Sequence, residues 1–313
     1  MKNLLLPLMQ LSISAHNSQP YKLKQSDNIF EIVGDSSRSL PIADPHGRDY
    51  KIGLGALYET FDIGLSSHGL KIRFINDRQF VVEKSSGPLD PLNSVLSTRF
   101  SYRGRFDEKT SVPKSLDCGK STKLLFLSSE ADKKEIGSVF DRVNLKFLTL
   151  PGYVDELYEW LRFSPTHPRW SLDGLNTESM GLNKVDAFGA SRVLRPRMFK
   201  FLNLFKVLPM LLSEAPVIRS SSAIVCITCQ SNDPLEIGRG FMRGWLVLTS
   251  IGLYGAPLSL LTDDAEASAH MRSLFELRPS DVICNILRMG PLSKNFKVPT
   301  RCRLSLEDLY VGI

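Results

Sequence analysis

Hydrophobic and polar positions along the chain follow two periods. Between Tyr50 and His68, Leu54, Leu57, Tyr58, Phe61 and Leu65 recur at three- and four-residue spacing, which predicts an amphipathic helix. Asp44, in the turn Asp44-Pro-His-Gly47, is placed to cap its start, and Gly69 stands where a left-handed C-terminal cap belongs. Strand-like runs flank this helix: Tyr21–Leu23 and Ile29–Val33 before it, closed by the turn Gly34-Asp-Ser-Ser-Arg38, and Leu70–Phe74 and Phe80–Val82 after it. The first apolar run, Leu4 to Ile13, has two readings. It is a first core helix with Pro7 near its start, or a signal peptide for which Ser12-Ile13-Ser14-Ala15 supplies small residues.

Ser85 to Asn93, rich in Ser, Pro and Gly, is the expected boundary between two halves, 1–92 and 93–313. Beyond it the pattern predicts a helix from about Leu157 to Phe163. Ser164 to Asp186, interrupted by Pro165, Pro168, Gly174 and Gly181, reads as a long irregular stretch, the kind that forms a lid or a pocket wall. The apolar, helix-like run Phe199–Leu212 covers a pocket or a partner surface, so that 164–212 reads as a lid-like insertion. A buried strand, Ala223–Thr228, and a helix, Ile237–Ile251, follow. Val282–Arg288 is a further strand, ahead of a Pro-bracketed loop and a short terminal segment, Leu304–Val311. One repeat is visible. Leu65-Ser-Ser-His-Gly69-Leu70 and Leu248-Thr-Ser-Ile-Gly252-Leu253 share a pattern at two helix ends, which suggests a helix–strand unit used twice.

Composition narrows the functional classes. At 313 residues the chain is one large domain or two fused ones. A net charge of +6 favours anionic ligands. The excess forms no basic tail, and no zinc-finger, RRM or helix-turn-helix signature is present, so nucleic acid is not an expected partner. The five Cys are scattered. Cys226 and Cys229 have CxxC spacing inside a strand, where positions three apart face opposite sides, so packing is the expected role. No second CxxC exists, and His46, His68, His167 and His270 lack ligand spacing; no metal is expected. No later run is long enough to span a membrane, and no membrane partner is expected.

The stretch Thr98–Phe106 carries the chemistry. If it is extended, Arg99, Ser101 and Arg103 share a face, and at ~3.3 Å per residue the two arginines stand ~13 Å apart. That span suits a nucleotide-like ligand, because Arg binds phosphate through a planar, charge-assisted fork. The same spacing also fits a solvated polar face of an ordinary strand or loop.

Three blocks carry a family resemblance. Ser14-Ala-His-Asn-Ser-Gln-Pro-Tyr21 is similar to a Pro-Ser-x-x-Asn-x-Gln-Pro-Trp loop, with Ile13 in place of the Pro and Tyr21 in place of the Trp. Arg99-Phe-Ser-Tyr-Arg-Gly-Arg-Phe106 is similar to Arg-Arg-Ser-x-Arg-x-Phe. The third block is Gly252-Leu-Tyr-Gly-Ala-Pro-Leu-Ser259 followed by Arg288-Met-Gly and Pro299-Thr-Arg-Cys-Arg303. On these residues, with Asp44-Pro-His-Gly-Arg48 and Trp160-Leu-Arg-Phe-Ser164 between them, the chain resembles the nitroreductase superfamily of FMN flavoenzymes, in its Acg-type fused branch.

The resemblance implies an α+β fold of two fused halves, each a mixed, antiparallel-rich sheet packed by helices. It implies one FMN at their junction, NADH or NADPH as reductant, and a small acceptor such as a quinone or nitroaromatic. The chain would be a monomer mimicking a dimer, or a weak homodimer. Arg99 and Ser101 would take the phosphate, Arg103 the pyrimidine edge, and Arg301 or Arg303 the phosphate from the tail. Pro257, Leu258 and Ser259 would run along the ring, and Ser14, His16, Asn17 and Gln19 would arrive from the first half, His16 as a structural hydrogen-bonder. Trp170, Asp173 and 199–212 would shape the pocket. No catalytic acid or base is implied. Because cleavage near Ala15 would sever the Ser14–Tyr21 loop, the first run is expected to be a retained core helix, in a cytoplasmic protein. A flavin-sequestering protein with little turnover is the alternative. A peptide-modifying oxidase ranks last, since no peptide-recognition module accompanies the blocks.

Overall fold

The computed structural model describes residues 1–312. In chain order the elements are α1 (Lys2–Met9), β1 (Tyr21–Ser26), β2 (Ile29–Gly34), α2 (Arg48–Ser66), β3 (Leu70–Phe74), β4 (Gln79–Lys84), β5 (Ser115–Asp117), β6 (Lys123–Leu127), α3 (Glu130–Leu148), α4 (Tyr153–Glu159), β7 (Leu161–Arg162) and β8 (Leu175–Asn176). Then follow α5 (Lys184–Val193), α6 (Pro196–Leu204), α7 (Leu208–Leu211), α8 (Ala215–Ser220), β9 (Ala223–Cys229), α9 (Pro234–Ser250), β10 (Tyr254–Pro257), α10 (Leu260–Asp263), α11 (Ala265–Leu274), β11 (Val282–Gly290) and β12 (Tyr310–Val311). The strands form two five-stranded sheets, ordered β12-β1-β2-β4-β3 and β10-β11-β9-β6-β5, and a short β7-β8 pair. Every pairing in the two large sheets is antiparallel except β12 on β1. The fold is α+β, with sheets packed by helices, as expected.

Each large sheet is covered by the helix whose apolar stripe the sequence displays. On α2, Leu54, Leu57, Tyr58, Phe61 and Leu65 pack with Leu23, Phe30, Ile32 and Phe80 of the first sheet. On α9, Ile237, Phe241, Trp245 and Leu248 pack with Leu124, Val225, Ile227 and Leu287 of the second. β9 is buried along its whole length because α9 covers one face while Ile136 and Phe140 of α3 and Met271 of α11 cover the other. Cys229 lies in the first of these clusters and Cys226 in the second, so the CxxC sulfurs face opposite sides as the spacing required.

The two stripe-bearing helices also pack on each other, in the most extensive helix–helix contact of the structure. Glycine permits it on both sides. A Cβ at Gly55 would stand 1.9 Å from the Leu235 carbonyl oxygen, and one at Gly238 would stand 1.9 Å from that of Ile52. One turn along, fully buried Glu59 of α2 accepts from Arg243 Nε at 2.6 Å, lies 3.0 Å from Arg239 Nη2, and accepts from Lys120 Nζ at 3.1 Å. The sequence repeat falls on the C-terminal ends of this same pair: Gly69 and Gly252 adopt φ of 63° and 77°, and each leads toward a strand.

Several expectations need correction. The helix expected over Leu157–Phe163 is α4, Tyr153–Glu159; the Trp160 amide closes the last turn on the Leu157 carbonyl, and Leu161–Arg162 pair with Leu175–Asn176 instead. Buried Asp173 enforces this, gripping Arg162, Arg38 and Arg169 and pinning the irregular stretch. The run Phe199–Leu212 is not one helix. It breaks into α6 and α7 where Lys206 takes φ of 56°. Thr98–Phe106 is not a strand either: Ser101 makes one isolated bridge to Gly255, with the Tyr102 amide donating to the Gly255 carbonyl. The first apolar run forms α1, and Leu5, Leu6 and Met9 enter the core beside α2. No helix of the described residues is long and apolar enough to cross a membrane.

The glycine contact is testable. Gly238→Val drives a side chain into backbone that cannot retreat without parting α2 from α9, and should cost ~3 kcal/mol or more in urea denaturation. Gly189→Val in α5 has nothing within 4 Å of its added Cβ and should change stability by less than ~1 kcal/mol.

Candidate functional site

A cavity of about 830 Å³ opens beside the paired helices α2 and α9, within the size range of small-molecule sites. Its walls come from Ile52 and Gly53 of α2, Phe241 and Trp245 of α9, Cys284 and Asn285 of β11, and the segments 97–103 and 298–303. Of the twelve residues singled out from sequence, ten line it: Ser14, His16, Asn17, Arg99, Ser101, Arg103, Pro257, Ser259, Arg301 and Arg303. Gln19 and Leu258 do not. The Leu258 side chain fills the core under the second sheet, and its amide is spent on the Ile286 carbonyl. Trp170 and Asp173 do not line the cavity either, and 199–212 only backs its wall, through Phe199 and Leu208 packed with Leu148 and Tyr153.

The loop 14–19 is held in an unusual backbone shape. His16, Asn17 and Gln19 all take positive φ, of 49°, 54° and 51°, which non-glycine residues adopt at a cost. Surrounding bonds impose it. The Gln19 amide donates to Ser14 Oγ at 2.9 Å, and Gln19 Nε2 to the Leu172 carbonyl at 2.9 Å. Gln19 Oε1 accepts from the Leu304 amide at 3.0 Å. Asn17 Nδ2 reaches the Gly174 and Cys302 carbonyls, each at 3.2 Å, and Arg303 Nη1 donates to Asn17 Oδ1 at 2.7 Å. Gln19 is thus a staple joining the N-terminal loop, the 164–183 stretch and the C-terminal tail. Tyr21 keeps the aromatic packing of that position, its ring 5.1 Å from that of Tyr50.

One end of the cavity is crowded with guanidinium groups. Arg99 is 2% exposed, its guanidinium 4.6 Å from the Trp245 ring centroid. Burial, then the fields of Arg301, Arg303 and Arg103, push its pKa well below the ordinary range. Arg103 is pushed down to about 10 by burial and donates to the Ser179 carbonyl at 3.1 Å. Arg301 donates to the Ser97 and Arg99 carbonyls at 3.0 and 2.6 Å. Arg303 is pushed down to about 9 by burial and spends its donors on Gln10, Ser12, Asn17 and Cys302. Among the described residues none of these four arginines makes an ion pair, and Arg99 Nε and Trp245 Nε1 are buried without a hydrogen-bond partner. A buried cation lacking a counter-ion is costly in an empty protein. The arrangement fits an anion that supplies what the chain withholds, and Arg99 is the arginine whose donors remain free for it.

Another part of the lining is acidic, and sequence reading missed it. Asp49 and Asp263 both line the cavity, with Arg48 Nη1 at 3.7 and 3.5 Å from them. Burial, then Asp44, raises Asp49 to about 6; burial, then Asp49, raises Asp263 to about 7. No spacing rule links residues 49 and 263; the start of α2 and the end of α10 meet only in the fold. Half-buried His16 is depressed to about 4 by burial and by Arg103, and is neutral at physiological pH. No group of three or more His, Cys, Asp or Glu among the described residues is arranged to hold a metal ion.

No protein-family profile and no curated relative match the chain. Solved structures similar in chain course include nitroreductases. One, with bound FMN, is from Bacteroides fragilis: 8% identical, covering 67% of this chain and 92% of its own, with a TM-score of 0.35. Another is the FMN and NADPH-dependent nitroreductase NfnB from Sphigopyxis sp. strain HMH: 12% identical, covering 72% of this chain and 99% of its own, with a TM-score of 0.34. A substituted form of the latter is 13% identical, with a TM-score of 0.35. Likeness at this level establishes neither a cofactor nor a reaction for this chain.

The shifted groups bend stability in opposite directions. His16, lowered in the fold, stabilises fully above its ordinary 6.5 and loses that contribution as pH falls toward about 4. Asp263, raised in the fold, stabilises below its ordinary 3.8 and loses that contribution as pH rises through about 7. Asp263→Asn should therefore add ~1 kcal/mol at about pH 8 and almost nothing near pH 4, measured by urea midpoints. An equal effect at both pH values would refute the raised pKa.

Proposed function

We propose that the chain is an FMN-binding, NAD(P)H-dependent oxidoreductase of nitroreductase type, acting on a small acceptor such as a quinone or nitroaromatic. The observation that carries this reading is Arg99: a buried guanidinium with free donors and no counter-charge, at one end of a cavity with an aromatic wall. A phosphate at one end and a flat ring along the apolar wall match that division of labour. The three sequence blocks that resemble the family also converge on this one cavity, although they are as far apart as residues 14 and 303.

In this reading Arg99, Ser101 and Arg301 hold the phosphate, while Arg303 braces the loop beneath them. Arg103 holds the pyrimidine edge, where its charge favours the anionic reduced ring. Ile52, Phe241 and Trp245 exclude water, and Pro257 and Ser259 shape the opposite wall, Ser259 Oγ accepting from Asn285 Nδ2 at 3.1 Å. Bound there, FMN would supply two-electron transfer from NADH or NADPH to the acceptor. Asp263, raised to about 7, is protonated in about half of the molecules at neutral pH and can offer that proton to a molecule beside it, while Asp49, at about 6, is mostly ionised there. The reading includes two nitroreductase-like halves, 1–92 and 93–313, in a single chain. A storage role for the flavin is the second reading, favoured by the 164–183 stretch that Gln19, Asn17 and Asp173 fasten over the cavity.

Visible spectra of the purified or FMN-reconstituted protein test both. A flavin band that bleaches with NADPH or NADH without oxygen, and returns with a quinone or nitroaromatic, is expected; a band that resists bleaching would favour storage. Arg99→Ala with Arg103→Ala should lower bound flavin by about tenfold or more with circular dichroism unchanged. Undiminished flavin in that double variant would overturn the assignment.

A further inference from the structure

We propose that residues 184–212 form a docking face for an anionic phospholipid bilayer, on which the protein sits peripherally. This stands apart from the flavin reading. Helices α5, α6 and α7 each bury an inner apolar residue, Ala187, Phe199 and Leu208, and so are satisfied as core-facing elements. Their outer side is apolar as well. Val185, Phe188, Phe201, Leu204, Phe205 and Met210 are each 56–80% exposed. Single exposed apolar side chains are ordinary; a group of six within 26 residues marks an interaction surface. Phe201 and Phe205 pack on each other, with ring centroids 4.9 Å apart, and both stay exposed.

Charge selects the occupant. Across 184–212 the chain has six basic residues, Lys184, Arg192, Arg195, Arg197, Lys200 and Lys206, and one acidic residue, Asp186. All six are exposed, and their ion pairing among the described residues is a single contact, Lys200 with Asp155 at 3.9 Å. A second copy docked about a twofold axis would set this basic surface against itself. An anionic headgroup layer offers the opposite charge to the rim and an apolar boundary to the centre. The helices have ten, nine and four residues, so they lie in the interface and do not span it. The expectation of no membrane partner, drawn from the lack of a spanning run, does not bear on this mode of binding.

The test is flotation of the full chain with phosphatidylcholine vesicles, with and without phosphatidylglycerol. Binding only to the anionic vesicles, weakening as NaCl is raised, is expected. Phe201→Ser, Leu204→Ser and Met210→Ser together should cut the bound fraction about tenfold, without lowering the melting temperature, because all three are exposed. Arg195→Gln, Arg197→Gln and Lys200→Gln should do the same by removing charge. Failure of the unaltered chain to float with anionic vesicles would overturn the proposal, as would flotation indifferent to the serine variant. Light scattering showing a dimer that the serine variant dissociates would assign the face to a second copy instead.

Discussion

The structure depends on two helices coming closer than side chains allow. At Gly55 and Gly238 the backbone of each helix lies against a carbonyl of the other. This leaves no room for the intervening layer of side chains that normally separates helices by 8–10 Å. Because α2 carries the first sheet and α9 the second, this one contact sets the distance and angle between both sheets, and it positions Ile52, Gly53, Phe241 and Trp245 in the cavity wall. Glu59 adds an electrostatic lock. A fully buried carboxylate is costly alone, but Arg239, Arg243 and Lys120 surround it and tie α9 and the β5–β6 turn to α2. The cavity thus stands on this helix pair, and the segments 13–17, 97–103 and 298–303 complete its wall.

Charge is unevenly matched in the cavity wall. Four guanidinium groups there lack carboxylate partners among the described residues, and two carboxyl groups beside Arg48 have raised pKa values. Glu59 and Asp173 are buried with their charges paired, whereas Arg99 and Arg288 are buried without an ion pair among the described residues. In the loop 14–19 three strained residues persist because the Asn17 and Gln19 side chains bond the backbone of the distant tail and of the 164–183 stretch, and Arg303 grips Asn17.

The main elements were legible because their signals are local. The stripe on α2, the buried run of β9 and the terminal glycines of both central helices can be read within a few residues of each other. Ten of the residues named from sequence line the cavity; Arg99, Ser101 and Arg103 stood out by charge and spacing, and the others were named through the family resemblance. What failed also has a physical pattern. The end of α4 and the β7–β8 pair depend on Asp173 collecting three arginines from positions 38, 162 and 169. The alternation at 99–103 mimics a strand, but the edge it meets offers only Gly255. Gln19 and Leu258 stood beside cavity residues in sequence while turning toward the core or the tail. The acidic pair escaped because Asp49 and Asp263 are neighbours only after both sheets are in place.

The C-terminal tail deserves to be seen as part of the chain's assembly in time. Arg303 grips Gln10, Ser12 and Asn17, and β12 lies parallel along β1, so the last segment completes structure begun by the first. Contacts across nearly 300 residues form late and slowly, since loop closure must precede them. Until they form, β1 remains an open edge and the loop 14–19 has no reason to hold its strained shape. During synthesis, then, most of the molecule can pack around its central helices while the cavity waits unfinished. A ligand that needs the completed loop cannot be captured before the tail arrives, which makes loading the final event of folding.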